Sequence, residues 1–228
     1  VYTGAGACGT VSGPSEIAVG FAQWTTLAGE GNTNNIAPLC KWLAEEDPSL
    51  CAALTTFSSY GNDRLCNDIA SLTTAWHNIY DSNPKKFLEL QMKYFYENEY
   101  LPWLEDDGVE WLSSKSMVLQ GTYASLNNWA PNYDWQGVIE ESRSDEENIK
   151  SLLKKATNYT STMGSLNGRW TSQYVLAIDI LSGEFTDVET WVRTKQPSKY
   201  AEGNNMNSLG LVLNNNVLYA DIRKKIYN

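Results

Sequence analysis

Histidine is nearly absent from this sequence, and its absence excludes several kinds of chemistry. The 228 residues hold one histidine, His77, and four cysteines, none of them in a CxxC pair. Because a zinc site needs several such ligands at short spacing, no metal site is expected. A Ser–His–Asp triad would have to use His77, which follows Trp76 in an apolar helical segment, so a structural histidine is expected. The P-loop motif is also missing, and no cofactor is expected.

Basic residues and long apolar runs are scarce as well. Lys and Arg number 17 against 27 Asp and Glu, which gives a formal net charge of −10. This balance argues against nucleic-acid binding, which needs cations to neutralise phosphates, and suits a cationic polysaccharide better than an anionic one. No apolar run approaches the ~20 residues of a membrane span, so no membrane segment is expected. No basic segment follows Val1, so an intact signal peptide is not expected there.

The few cysteines, Cys8, Cys40, Cys51 and Cys66, all lie in the first third of the chain. Their even number and clustering are compatible with two disulfides in a secreted protein. Four buried thiols are the alternative, and the spacing does not decide between the two.

The hydrophobic pattern predicts a globular, mainly α-helical fold. Hydrophobic residues make up 42% and charged residues 19% of the sequence, which is typical of a folded domain. Apolar residues recur at helical spacing from about residue 36 onward. The predicted helices run over 36–46, from Asp47-Pro48, over 65–79, from Asn83-Pro84, from a cap at Ser113 or Ser114 to Pro131, from a Ser144–Glu147 capping box, and over 170–181.

The two ends of the chain differ from this helical middle. Residues 1–35 are rich in small residues around an apolar piece, 17–24, that predicts a strand or an extended turn. Residues 182–228 favour either a hairpin around 214–216 or a terminal helix. We therefore expect one domain over 1–181, with a small N-terminal β-element, and a C-terminal extension over 182–228 that is the part suited to a protein partner.

Two stretches carry ordered motifs. Tyr2–Ser12 ends in Gly-Thr-Val-Ser and is followed by the Val-Gly-Phe piece of Ala18–Thr25. Trp76–Tyr100 then has Ala-Trp, Asn-Pro-Lys-Lys-Phe and a Gln91/Tyr94 pair. In this order the motifs, with the segments 116–131 and 144–147, resemble the lysozyme-like superfamily of glycan hydrolases, which includes phage lysins, type VI secretion effectors and chitosanases. The matching order covers residues 1–181.

The resemblance implies hydrolysis of a glycosidic bond by two carboxyl groups, one acting as general acid and one as base or stabiliser. Laid without gaps on Gly-Thr-Val-Ser, the family's acid Glu falls on Tyr2, which cannot replace a carboxylic acid. The family's second acid lies in a turn before the strand, where Glu16 is the one acid present. Glu30, in a Gly-rich segment after the strand, is the other candidate.

Further residues are expected to contact sugar. Polar and aromatic side chains follow the predicted strand, and the polar, aromatic segment 127–135 is suited to the opposite wall of a cleft. Each tryptophan among them has packing in the core as its alternative. The expected substrate contacts are Tyr2, Gln23, Trp24, Thr25, Thr26, Trp129 and Trp135.

Three functions remain open at this point. The first is a secreted or virion-associated glycoside hydrolase that cleaves a β-1,4-linked amino-sugar polymer, either peptidoglycan or chitosan. The second is a catalytically inactive relative that binds glycan or builds a phage tail or secreted assembly, which Tyr2 at the acid position favours. The third is a secreted helical protein unrelated to glycans.

Overall fold

The computed structural model describes residues 4–5, 17–20, 22, 24–25, 35–130, 133–159, 177–179 and 181–183 of the chain. Within these residues the protein is mainly α-helical, as predicted. The chain divides into two compact units, Val1–Pro102 and Trp103–Asn228, and each is described here by itself. The domain boundary at residue 181 stays a prediction, and the hairpin or terminal helix predicted beyond it lies outside the described residues, which end at 183.

Several helices begin where the sequence pattern places them. The predicted helix 36–46 is confirmed, and Asp47 and Asn83 cap the helices that follow them by accepting hydrogen bonds from the amides of Leu50 and Lys86. The α-helices in the described part of the chain are α1 (Ile36–Glu46), α2 (Pro48–Cys51), α3 (Asn62–Asn67), α4 (Ile69–Ser82), α5 (Pro84–Phe95), α6 (Leu101–Asp106), α7 (Met117–Trp129) and α8 (Asp145–Tyr159). Shorter 3-10 turns cover Ala52–Phe57, Glu110–Ser114 and Gln136–Val138, and a π-helical segment covers Tyr96–Tyr100.

Two helix boundaries differ from the prediction. Leu65 does not share a helix with Leu72, because α3 ends at Asn67 and Asp68 leaves the helical conformation before α4 begins. The cap of α7 is Ser116 and not Ser113 or Ser114, since the hydroxyl of Ser116 accepts a hydrogen bond from the amide of Leu119.

A small antiparallel sheet precedes the helices. Its strands are β1 (Gly4–Ala5), β2 (Ile17–Val19) and β3 (Trp24–Thr25), with β2 in the centre and Val19 opposite Trp24. Gly20 begins the turn of the β2–β3 hairpin with φ +73°, and a Cβ there would lie 2.5 Å from the ring of Trp24. Glycine is therefore required at this position for both backbone conformation and space.

The core of the first unit forms around α1, α4 and α5. One face of α1 is fully buried and packs on the Ala52–Phe57 turn and on α5, while α5 also packs on α4. The rings of Trp76 on α4 and Phe87 on α5 meet edge to face at 4.8 Å between centroids. The largest buried side chains of this unit are Trp76, Phe87, Ile36, Leu39, Leu43, Leu54 and Leu65.

A π-helical segment joins α5 to α6. Here the amide of Leu101 donates to the carbonyl of Tyr96, five residues earlier, and Asn98 donates its side-chain amide to the carbonyl of Tyr94 at 3.1 Å. Pro102 explains the wide turn, because proline has no N–H and its ring collides with the carbonyl four residues earlier in a regular α-helix. Side chains after Phe95 are therefore rotated relative to a continuous α-helix.

The second unit is built on α7 packed against α8. The predicted capping box at the start of α8 is confirmed: Ser144 and Glu147 each accept a hydrogen bond from the other's backbone amide. Asn148, fully buried, accepts from the amide of Glu140 and donates to its carbonyl, so it holds the loop before α8 in place. None of the helices in the part of the chain that the structure describes is long and apolar enough to span a bilayer.

Candidate functional site

A carboxyl group in the π-helical segment meets an indole of the N-terminal hairpin. Trp24 of β3 donates its ring N–H to Oε1 of Glu99 at 2.5 Å. The two residues are far apart in the sequence, and both belong to the first unit. Trp24 is 3% exposed and Glu99 is half-buried, so the carboxyl lies at the edge of the core of this unit.

Burial changes the acidity of Glu99. Loss of solvent raises the pKa of its carboxyl above the usual value, and the hydrogen bond from Trp24 offsets only part of that effect. A carboxyl with a raised pKa keeps its proton at mildly acidic pH, where exposed carboxyls are ionised. This is the property that a general acid requires.

Aromatic rings pack next to the Trp24 indole that contacts this carboxyl. Tyr94 meets Trp24 edge to face at 5.8 Å between centroids, and Trp42 of α1 meets the other side of Tyr94 at 5.5 Å. Burial, with the nearby Glu99 and Cys40, raises the pKa of Tyr94 to about 12. The Tyr94 hydroxyl is therefore uncharged at physiological pH, and this side chain lines the site without acting as a base.

Polar groups complete the surroundings of the rings. Gln91 is buried beside the hairpin and donates to the carbonyl of Phe87 at 3.2 Å. Lys93 lies over the ring of Trp42 at 5.6 Å and forms an ion pair with Glu46. The charge of Lys93 is thus balanced by Glu46 at the surface, and the interior of the site holds one ionisable carboxyl among the described residues.

The tyrosines that frame Glu99 in the π-helical segment differ in exposure. Tyr96 is 47% exposed, whereas Tyr100 is buried and its hydroxyl has no hydrogen-bond partner among the described residues. Burial raises the pKa of Tyr100 above its usual value, so its hydroxyl stays protonated. The two rings contact each other at 5.8 Å between centroids.

The predicted site residues fall into three groups. Trp24 and Trp135 are buried, and a ring in that position cannot stack on a sugar unless its neighbours move; Trp135 instead donates its ring N–H to the carbonyl of Ala130 at 2.9 Å. Thr25 lies in β3 and Trp129 in α7, but their side chains are not among those described. Tyr2, Glu16, Gln23, Thr26 and Glu30 lie outside the described residues.

Other chemistries find no support in the described part of the chain. His77 is exposed on α4, and no group of three or more His, Cys, Asp or Glu side chains within the described ranges could hold a metal ion. Cys40 and Cys51 are free and buried, and burial raises the pKa of their thiols to about 12 and about 11. These two thiols are poor nucleophiles, because the thiolate is the reactive form. Because Cys40 and Cys51 are both free, the expectation of two disulfides is wrong.

The second unit carries two open grooves. An acidic groove of about 660 Å³ is lined by Asp107, Trp111 and Glu141, where Asp107 accepts a hydrogen bond from the hydroxyl of the buried Tyr123. A basic groove of about 510 Å³ lies over α8, and its basic lining residues are Arg143, Lys154 and Lys155. Both volumes fall in the range of small-ligand pockets, roughly 300–1,000 Å³.

Glu99 is the functional candidate that sequence reasoning misses. The buried face of α5 includes Leu90, Gln91 and Tyr94. In a regular helix the next positions on this face are 97 and 98, so Glu99 is expected on the solvent side. The π-helical turn brings Glu99 to the buried side and leaves Glu97 exposed. A proline inside a helical pattern, here Pro102, is the signal that this period is interrupted.

Comparison with protein-family models, with curated proteins and with solved structures finds no match for this chain. The candidate site therefore has to be interpreted from its own geometry.

Proposed function

We propose that the protein is a glycoside hydrolase that acts on a β-1,4-linked amino-sugar polymer, peptidoglycan or chitosan, with Glu99 as the general acid. The observation that carries the proposal is the half-buried Glu99 carboxyl, held by the Trp24 indole among aromatic rings, with its pKa raised. An apolar pocket with an indole wall is the environment that keeps the acid of a glycosidase protonated. Such an enzyme would act outside the cell or within a virion.

In this proposal each neighbour of Glu99 has a part. Protonated Glu99 gives its proton to the leaving-group oxygen as the glycosidic bond breaks. The Trp24 N–H then stabilises the carboxylate that forms, because a hydrogen bond to the charged form favours it. Trp24 thus acts on the acid, in place of the sugar-stacking role expected from the sequence.

A second carboxyl group is needed to activate the attacking water or to stabilise the oxocarbenium-like transition state. Glu16 precedes β2 and Glu30 follows β3 in the chain, so both flank the hairpin whose Trp24 contacts Glu99. Glu16 and Glu30 remain the candidates for this role. No cofactor is required by the chemistry.

The test is release of reducing ends from chitosan and from peptidoglycan by wild type and by Glu99→Gln, Glu16→Gln and Glu30→Gln. The amide keeps an oxygen for the Trp24 N–H but has no proton to give, so we expect Glu99→Gln to lose at least ~100-fold in turnover with the fold retained. Wild-type activity should fall as the pH rises through the raised pKa of Glu99, since the acid must be protonated.

Glu97→Gln is the matched control, because Glu97 lies in the same π-helical segment but is exposed. It should keep turnover within about twofold of wild type, as removing a solvated charge far from a reacting bond has little effect. Equal loss in both variants, or full activity in Glu99→Gln, would reject Glu99 as the acid.

The catalytically inactive alternative also has an observation in its favour. A buried indole N–H needs an acceptor, and Glu99 provides one for Trp24, which explains the contact without any chemistry. In that case neither polymer is cleaved by wild type, and saturable binding to chitosan or peptidoglycan is unchanged in Glu99→Gln. Recognition or assembly would then be the function.

A further inference from the structure

The basic groove of the second unit is a concentration of positive charge on an acidic chain. Three cations line it, Arg143 from the loop before α8 and Lys154 and Lys155 from α8 itself, in a space of about 510 Å³. Two of them have anionic partners, since Arg143 pairs with Glu140 and Lys155 pairs with Asp134. No ion pair is found for Lys154 among the described residues. The chain as a whole has a net charge of −10, so this local excess is not a consequence of composition.

Lys155 is positioned more firmly than a surface lysine. Its side chain is only 18% exposed, its amine lies 3.2 Å from Asp134, and it sits over the ring of Tyr133 at 5.1 Å. Asp134 is itself held by the amide of Gly137 at 3.0 Å. A lysine amine has three donors and this ion pair uses one, so donors remain for a ligand.

Apart from Glu140, which pairs with Arg143, other residues of the lining are suited to a sugar. Tyr133 offers an aromatic ring that packs on Tyr159 at 4.3 Å between centroids, and Ser151 and Asn158 of α8 add a hydroxyl and an amide. An aromatic face with amide and hydroxyl groups beside it is suited to the apolar face and the hydroxyls of a sugar ring. Cations add recognition of a carboxylate or a phosphate.

We propose that the basic groove binds a sugar that carries a carboxylate or a phosphate. Lys154 and Lys155 hold the anionic group, Arg143 adds donors at the rim, and Tyr133 supports the ring. This site lies within the second unit and does not use Glu99, so it is independent of the proposed hydrolase activity.

The test is equilibrium binding at low salt by calorimetry or by NMR shifts. The probes are N-acetylmuramic acid for the carboxylate, glucose 6-phosphate for the phosphate, and N-acetylglucosamine as the neutral sugar. We expect at least one of the two anionic sugars to bind at least ~10-fold more tightly than the neutral one, a difference of about 1.4 kcal/mol. Comparison of those two probes identifies the anionic group, and equal affinity for all three sugars overturns the proposal.

Lys154→Gln removes the exposed cation without touching the Asp134–Lys155 pair, and we expect it to weaken anionic sugar binding by roughly 3–10-fold. Lys85→Gln, which removes an exposed lysine of α5 in the first unit, is the control and should bind like wild type. Glu99→Gln should also bind like wild type, which separates this site from the hydrolase proposal. Unchanged affinity in Lys154→Gln, or inorganic phosphate binding as tightly as the phosphorylated sugar, would disprove a sugar site.

Discussion

At the scale of single residues, ionisation of the Glu99 carboxyl costs the fold stability. Glu99 is half-buried with its pKa raised, whereas Asp47 and Glu147 have their pKa lowered by hydrogen bonds to Ser49 and Ser144. A group with a raised native pKa destabilises the fold once it is charged, and groups with lowered pKa do the reverse. A destabilised group of this kind is one form that the trade-off between stability and activity takes in enzymes.

The raised native pKa of Glu99 predicts how the stability of Glu99→Gln relative to wild type changes with pH. At a pH between the unfolded-state and the native-state pKa of Glu99, the native protein binds more protons than the unfolded chain. The contribution of Glu99 to the free energy of unfolding therefore falls as the pH rises through this range, and it stays unfavourable above the native pKa. We expect the variant to have a higher thermal midpoint than wild type at about pH 7 and an equal one at about pH 3, where the carboxyl is protonated in both states. Circular dichroism melts at the two pH values measure this. A variant less stable than wild type at the higher pH would show that the charge of Glu99 is favourable.

At the scale of elements, the start of α7 shows how local sequence can mislead. Three serines are suitable caps by residue type: Ser113, Ser114 and Ser116. The first two belong to the 3-10 turn Glu110–Ser114, where their hydroxyls donate to backbone carbonyls of the same turn. Only Ser116 is extended, with ψ 148°, which is the conformation a cap needs. Choosing among neighbouring serines requires knowing where the preceding turn ends, and residue spacing does not contain that information.

The cap assignment has a direct test. Ser116→Ala leaves the amide of Leu119 without its acceptor, so we expect a loss of about 1 kcal/mol in the free energy of unfolding. Ser114→Ala is the control, since Ser114 is exposed in the turn, and it should change stability by at most about 0.5 kcal/mol. Urea unfolding of the two variants gives both values. If Ser114→Ala were the more destabilising, the cap would be assigned wrongly.

Other elements follow from the sequence because their signals are local. Pro after Asp47 or Asn83 fixes the first helical turn, and the Ser144–Glu147 pair satisfies its own amides. The partnership of Trp24 with Glu99 could not be read in this way. It depends on a hairpin docking against α5 and on a change of helical period, and both are tertiary effects that composition and spacing do not encode.

At the scale of the whole molecule, charge is the property that the sequence determines most directly. The chain has 27 acidic and 17 basic residues, and the ion pairs found among the described residues are mostly exposed. Exposed pairs contribute little, so they do not cancel the repulsion among the excess carboxylates. Fold class was predictable at the same coarse level, because helical periodicity extends over most of the chain.

Stability of the whole chain should therefore respond to salt. Raising NaCl from about 20 mM to about 200 mM at neutral pH screens the repulsion, and we expect the thermal midpoint to rise. The effect should vanish near pH 4.6, the isoelectric point of the sequence, because the net charge is zero there. Melts at two salt concentrations and two pH values test this. The same salt response at both pH values would show that it does not come from net charge.

The geometry of the candidate site depends on the number of residues in the π-helical segment as well as on their types. Each residue turns a regular helix by about 100°, and the segment Tyr96–Tyr100 holds one residue more than the α-helical turn it replaces. Deleting one residue between Phe95 and Glu99 would shift Glu99 by about 100° around the helix axis and turn it away from Trp24, even though no contacting residue had been changed. Substitutions at the exposed positions of this segment are local events, whereas a single-residue deletion or insertion changes which carboxyl faces the indole.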